Sequence, residues 1–136
     1  STALFENCEI RSKTNSYVTA ASTPEDIAVG YVFKNCKLTA NPGVDKVYLG
    51  RPWRPYAATV FINCEMGKHI RPEGWHNWGK EENEKTARYA EYNSTGEGAA
   101  AAGRVKWAKQ LTKKEAAQYD DLNYIYRMCS DWKPEN

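Results

Sequence analysis

No run of apolar residues in this 136-residue chain comes near the roughly 20 needed to cross a bilayer, and no secretory leader opens it. An excess of either charge is also missing. Lys and Arg number 19 against 17 Asp and Glu, a net +2, and the basic residues do not cluster as a nucleic-acid footprint requires. Four cysteines are present but never as Cys-x-x-C, so the usual zinc spacing is absent; neither a metal nor any other cofactor is expected. The first half also lacks amphipathic stretches with apolar residues at i, i+3, i+4 and i+7, which excludes a helical solenoid. What remains is a near-neutral chain with 41% hydrophobic residues, enough for a single domain over residues 1–136.

What the chain does have is a sentence written three times. Phe5-Glu6-Asn7-Cys8-Glu9-Ile10, Phe33-Lys34-Asn35-Cys36-Lys37-Leu38 and Phe61-Ile62-Asn63-Cys64-Glu65-Met66 share Phe-x-Asn-Cys-x-apolar at two spacings of 28 residues. A fixed period of that size marks a solenoid whose repeats stack as layers. Phe and Asn lie two apart, as do Cys and the last apolar residue, yet Asn and Cys are adjacent. A strand alternates its faces strictly, so the chain must bend at Asn, a residue that tolerates left-handed backbone. Residues 1 to about 70 are therefore read as three coils of a parallel β-helix, with Phe, Asn and Cys in three ladders spaced about 4.8 Å. Tyr17-Val18-Thr19, Tyr31-Val32-Phe33, Val47-Tyr48-Leu49 and Thr59-Val60-Phe61-Ile62 supply β-branched and aromatic strand formers. Four cysteines allow two disulfides, but the three in the repeat read better as stacked inward thiols; Cys129 stands apart. No capping segment precedes Phe5, so another segment covers that end or the chain is part of a longer protein.

After Met66 the pattern stops. Residues 71–136 read as loops, last strands and a C-terminal tail. Gly67 to Gly79 reads as a long ordered loop, Glu81 to Lys85 as a solvated tip or helix start, and Arg88 to Tyr92 and Arg104 to Trp107 as strands. Thr112-Lys113-Lys114-Glu115 fits a capping box opening a short helix over Lys113 to Tyr119. Leu122, Ile125, Tyr126 and Cys129 form an i, i+3, i+4, i+7 stripe in a tail expected to lie along the β-helix. Asn93-Ser94-Thr95 matches a glycosylation sequon, a frequent accident.

Leu49-Gly50-Arg51-Pro52-Trp53-Arg54-Pro55 breaks the repeat. Its prolines fix the backbone around a guanidinium that can hold a carboxylate through two parallel hydrogen bonds, and an indole whose flat face suits a sugar ring. Residue chemistry alone leaves a second reading open: a proline-stiffened turn with a surface ion pair and a core-capping Trp. Tyr17 and Trp78 divide similarly, between sugar contacts and a ladder aromatic or loop anchor. His76 reads as a lone solvent-facing imidazole.

Leu49-Gly50-Arg51-Pro52-Trp53 resembles the signature of pectin methylesterases, which hydrolyse galacturonate methyl esters on a right-handed parallel β-helix. Ala3 to Cys8, Tyr17 to Ala20, Gly74-Trp75 with Trp78, Tyr89 to Ala99 and Arg104 to Trp107 resemble further blocks of that family in order, almost end to end. The resemblance implies that this is the C-terminal half of such an enzyme, secreted, periplasmic or cell-surface, and a monomer when complete. Arg51 would orient and ionise an aspartate nucleophile, Trp53 would stack on the galacturonate ring, and Tyr17 and Trp78 would add sugar contacts. The nucleophile, the second aspartate and the oxyanion glutamines belong to motifs N-terminal to residue 1; none of Asp26, Asp45, Asp120, Asp121 and Asp131 lies in a matching motif. Its partners would be pectin (homogalacturonan) and the missing N-terminal half, with no nucleic acid and no membrane. This chain alone is expected to be inactive. The alternatives are a non-catalytic pectin-binding β-helix and a structural stalk, the latter opposed by the unrepeated Arg-Pro-Trp insertion.

Overall fold

The computed structural model describes residues 3–21, 23, 25–26, 30–99, 101–119 and 126–128. Its elements in chain order are β1 (Ala3–Glu6), β2 (Glu9–Ser12), β3 (Tyr17–Ala21), β4 (Tyr31–Lys34), β5 (Lys37–Ala40), β6 (Tyr48–Pro52), β7 (Ala58–Ile62), β8 (Glu65–Met66), α1 (Asn83–Thr86), β9 (Arg88–Tyr92), β10 (Lys109–Gln110), α2 (Lys113–Ala117) and β11 (Tyr126–Met128). They form three sheets, ordered β10-β9-β7-β4-β1-β11, β2-β5-β8 and β3-β6, in which every pairing is parallel. This is the parallel β-solenoid the repeat demands. Each coil sends one strand to a sheet and the next coil lays its counterpart beside it.

The repeat residues stack in register. Phe5 pairs with Phe33 and Phe33 with Phe61, and their rings lie face to face at 4.6 Å at both steps. That spacing follows the distance between neighbouring strands, so one buried column of rings runs along the axis. Asn7, Asn35 and Asn63 all adopt left-handed backbone, with φ of 59°, 56° and 53°. The bend swings the following Cys inward: Cys36 and Cys64 are buried and free, their thiols donating to the carbonyls of Phe5 and Phe33 in the preceding coil. Contact with Cys36 and burial push the Cys64 thiol far above the usual range, so it stays protonated and inert. Cys8 departs from the expectation of three inward thiols, being engaged in a disulfide. It occupies the end rung, where a stacked thiol lies on one side only.

The stack runs one rung further than the repeat in the sequence suggests. β9 pairs with β7 so that Glu91 faces Phe61, and Asn93 has the same left-handed φ, 53°, as the ladder asparagines. The Asn93 amide donates to Asn63 Oδ1 at 2.8 Å. In this last coil Phe has become Glu91 and Cys has become Ser94, which hides the kinship. The exchange is chemically coherent: Glu91 accepts from Ser94 Oγ (2.9 Å) and from Arg104 Nε (2.7 Å), and both ion-pair side chains are 2% exposed. Arg104 also donates to the carbonyls of Arg71, Pro72 and Gly98. An apolar column thus ends in a fully partnered polar plug.

That plug also explains why Arg104 to Trp107 form turns, not the expected strand: Arg104 points inward to Glu91, and the strand comes later, at β10. The charged stretch before β9 holds α1, and the capping box before α2 forms as expected, with Glu115 N–H donating to Thr112 Oγ1 and Thr112 N–H to Glu115 Oε1. The helical stripe expected in the tail is overturned at Tyr126, which lies in β11 pairing with the outer edge of β1; Leu122, Ile125 and Cys129 lie outside the described residues. An unpaired strand edge offers a row of donors and acceptors, which parallel strand addition satisfies better than a helix could.

Candidate functional site

The loop that breaks the repeat leaves from the smallest sheet. β3 and β6 pair Tyr17 with Tyr48, Thr19 with Gly50 and Ala20 with Arg51. Leu49 and Gly50 are both buried in succession, so the alternation slips by one and Arg51 turns to the surface. Gly50 is required there: a Cβ would come within 2.4 Å of Thr19 Oγ1 and 3.1 Å of the Trp75 ring. Trp75 is 1% exposed and stacks on Tyr89 at 4.2 Å, so it is core and not a sugar platform. Beyond β6, the Trp53 N–H donates to Ala21 O at 2.8 Å, anchoring a loop whose indole stands 60% exposed.

The four residues singled out from the sequence come together. The Arg51 guanidinium carbon lies 4.4 Å from the centre of the Tyr17 ring and 4.0 Å from that of Trp78, held between two aromatic faces. Its Nε is buried without a hydrogen-bond partner, and no acidic side chain lies within ion-pair distance among the described residues. Trp78 stands 6.1 Å from Tyr17 and 6.5 Å from Trp53, ring centre to ring centre, so the exposed indoles flank the cation.

Trp78 has a left-handed backbone, φ 60°, uncommon for a bulky residue and held only by surrounding structure. That structure is visible. Trp78 N–H donates to His76 Nδ1 (3.2 Å) and Gly79 N–H to Asn77 Oδ1 (2.9 Å). The Asn77 amide donates to Glu84 (2.8 Å), while buried Asn83 of α1 donates to the Asn77 carbonyl (3.0 Å). α1 is therefore a brace for the loop that presents Trp78.

Sequence reading missed three residues on this face. Tyr48 stacks on Tyr17 at 5.4 Å, extending the aromatic surface by one coil. His76 is not a lone imidazole in solvent: it is half-buried, 5.0 Å from Tyr48 and 5.9 Å from Tyr17. Arg71 caps Tyr48, with its guanidinium carbon 4.9 Å from the ring centre. The matching place of Tyr17 and Tyr48 before their respective bends was the available signal for the first. Among the described residues no cluster of His, Cys, Asp or Glu is suited to hold a metal ion.

A cation with free donors between flat aromatic faces suits an anionic sugar: the rings stack on the pyranose and the guanidinium takes a carboxylate. Relatives carry the same architecture. The chain is 41% identical over 126 residues to pectinesterase 31 of Arabidopsis thaliana, covering 92% of this chain and 40% of that protein. It superposes on pectin methylesterase PemA of Erwinia chrysanthemi with a TM-score of 0.74 at 30% identity, covering 96% of this chain and 46% of that one. The carrot pectin methylesterase matches at 0.73 and 27% identity, over 85% and 41%. Another solved relative is a pectin methylesterase in complex with a hexasaccharide (0.75, 30%, 96% and 46%). The chain thus spans less than half the length of these proteins. The family model for pectinesterases matches residues 1–128, and the chain belongs to the pectinesterase family.

Proposed function

We propose that this chain is the C-terminal part of an aspartyl esterase that hydrolyses methyl esters of homogalacturonan. The observation that carries the reading is the Arg51 guanidinium, fixed between Tyr17 and Trp78 with no carboxylate of its own among the described residues. A cation so placed awaits an anion from elsewhere. In the complete protein that anion is an aspartate contributed by sequence N-terminal to Ser1, kept ionised and aimed by Arg51.

The aspartate attacks the ester carbonyl, oxyanion donors from the same missing half take the developing charge, and a second, protonated aspartate delivers its proton to departing methanol. Water activated by that second carboxylate then opens the acyl-aspartate, releasing galacturonate and the free nucleophile. Trp53, Tyr17 and Trp78 hold the sugar rings beside the scissile ester. Such a substrate places the enzyme outside the cell, in the periplasm or at the cell surface.

The second reading is a non-catalytic galacturonan-binding β-helix, which the exposed Trp53 and Trp78 equally suit. Methanol release from methylated pectin by the complete protein separates the two. Arg51→Ala there should lower kcat by on the order of 100-fold while KM changes little; equal turnover in mutant and wild type rules the Arg51 role out. The 136-residue chain alone should release no methanol, since both aspartates of the reaction lie outside it.

A further inference from the structure

The aromatic face has two guanidinium groups, and the esterase reading uses one. Val47 bridges to Ile70, and Arg71 N–H donates to Val47 O at 2.8 Å, setting Arg71 beside Tyr48 in the next coil. Tyr17, Tyr48 and Arg71 therefore form a column along the solenoid axis: ring on ring at 5.4 Å, then cation on ring at 4.9 Å. Arg51 covers Tyr17 and Arg71 covers Tyr48, one cation for each tyrosine.

Arg71 is half-buried, and its Nε is buried without a partner. Glu73 and Glu84 line a neighbouring hollow of about 180 Å³ with Tyr48 and His76, yet neither lies within ion-pair distance of Arg71. His76 gives Nδ1 to the Trp78 N–H, which leaves Nε2 as the atom it can offer a ligand. Packing against Tyr48 alone would explain the stacked guanidinium but not a buried N–H with nothing to donate to, since such groups are costly and normally satisfied.

We infer that Arg71, stacked on Tyr48, is a carboxylate-reading subsite that selects a free galacturonate, not its methyl ester, one coil away from the ester held near Arg51. The inference rests on the galacturonan reading above and adds to it a preference. A methyl ester cannot accept two parallel charge-assisted hydrogen bonds as a carboxylate does, so Arg71 favours chains already demethylated on that side. Demethylation would then extend from an existing free-acid stretch.

The test is calorimetric titration of this chain with two probes, hexagalacturonate as free acid and the fully methylated hexamer. Arg71→Ala should weaken the free-acid hexamer by on the order of tenfold and leave the methylated one within about twofold, with Arg71→Lys recovering only part of the loss. Arg71→Gln, which keeps donors and bulk, serves if the alanine variant does not fold. Trp53→Ala should weaken both probes alike. Affinity for the free-acid hexamer should fall more steeply with salt than affinity for the methylated one. Equal effects of Arg71 substitution on both probes, or no effect on either, overturn the subsite while leaving the esterase reading intact. If wild type binds neither probe, the galacturonan reading fails and the subsite with it.

Discussion

Replacing Glu91 with alanine should be among the most damaging changes this solenoid can suffer. Glu91 and Arg104 face each other at 2.7 and 3.2 Å with both side chains 2% exposed, and Gln110 and Ser94 complete the shell. Removing the carboxylate leaves a buried guanidinium with carbonyl acceptors but no counter-charge. Breaking a buried pair from one side costs about 3–5 kcal/mol, a large share of the roughly 5–15 kcal/mol that holds a domain together. Glu91→Gln keeps shape and an acceptor and should cost less, on the order of 1–3 kcal/mol. Rewriting the rung in the language of the repeat, with Glu91→Phe, Ser94→Cys and Arg104→Met together, should recover most of the loss. Recovery stays incomplete because the Pro72 and Gly98 carbonyls lose their donor. Urea unfolding followed by tryptophan fluorescence measures each step, with the m-value as a check that the transition is unchanged. A Glu91→Ala variant within about 1 kcal/mol of wild type at the same m-value would refute the plug as the element that closes the stack.

Three further outcomes follow from local geometry. Asn35→Ala should destabilise by roughly 1–2 kcal/mol, because Asn35 holds φ 56°, whereas Asn35→Gly should cost much less; equal costs in urea melts would contradict the strained-bend account. Thr112→Ala removes the side-chain half of the α2 capping box and should cost about 1 kcal/mol, read as a lowered thermal midpoint. The Glu115 carboxyl is held below its ordinary 4.5 by its hydrogen bond from Lys109 and then by the Thr112 N–H. A depressed carboxylate contributes stability that is present above the unfolded value and lost as the pH falls through the folded one. Acidification below 4.5 should therefore loosen α2, and Glu115→Gln should flatten that part of the profile; an unchanged profile argues against it.

The comparison of sequence with structure is sharpest where the repeat ends. Phe5, Phe33 and Phe61 advertise their ladder because a buried column of one residue type is a pattern any reader can align. Glu91 and Ser94 occupy the next rung in equivalent backbone, yet chemistry there reverses from apolar to polar, so the kinship vanishes from the letters and survives only in φ and register. The site divides the same way. Arg51, Trp53, Tyr17 and Trp78 were legible through motif and resemblance, whereas Arg71 and His76 are unremarkable letters in a loop. Only the Val47–Ile70 bridge brings them to Tyr48.

By itself the sequence determined the period, the bend at each asparagine and hence a stacked parallel architecture, because those follow from alternation and backbone preference acting within a few residues. Tertiary structure decided what closes the stack, which strand covers the edge of β1, and which side chains face Arg51. Each of those depends on contacts between residues far apart in the chain, whose energies come from desolvation and charge pairing that no local pattern encodes.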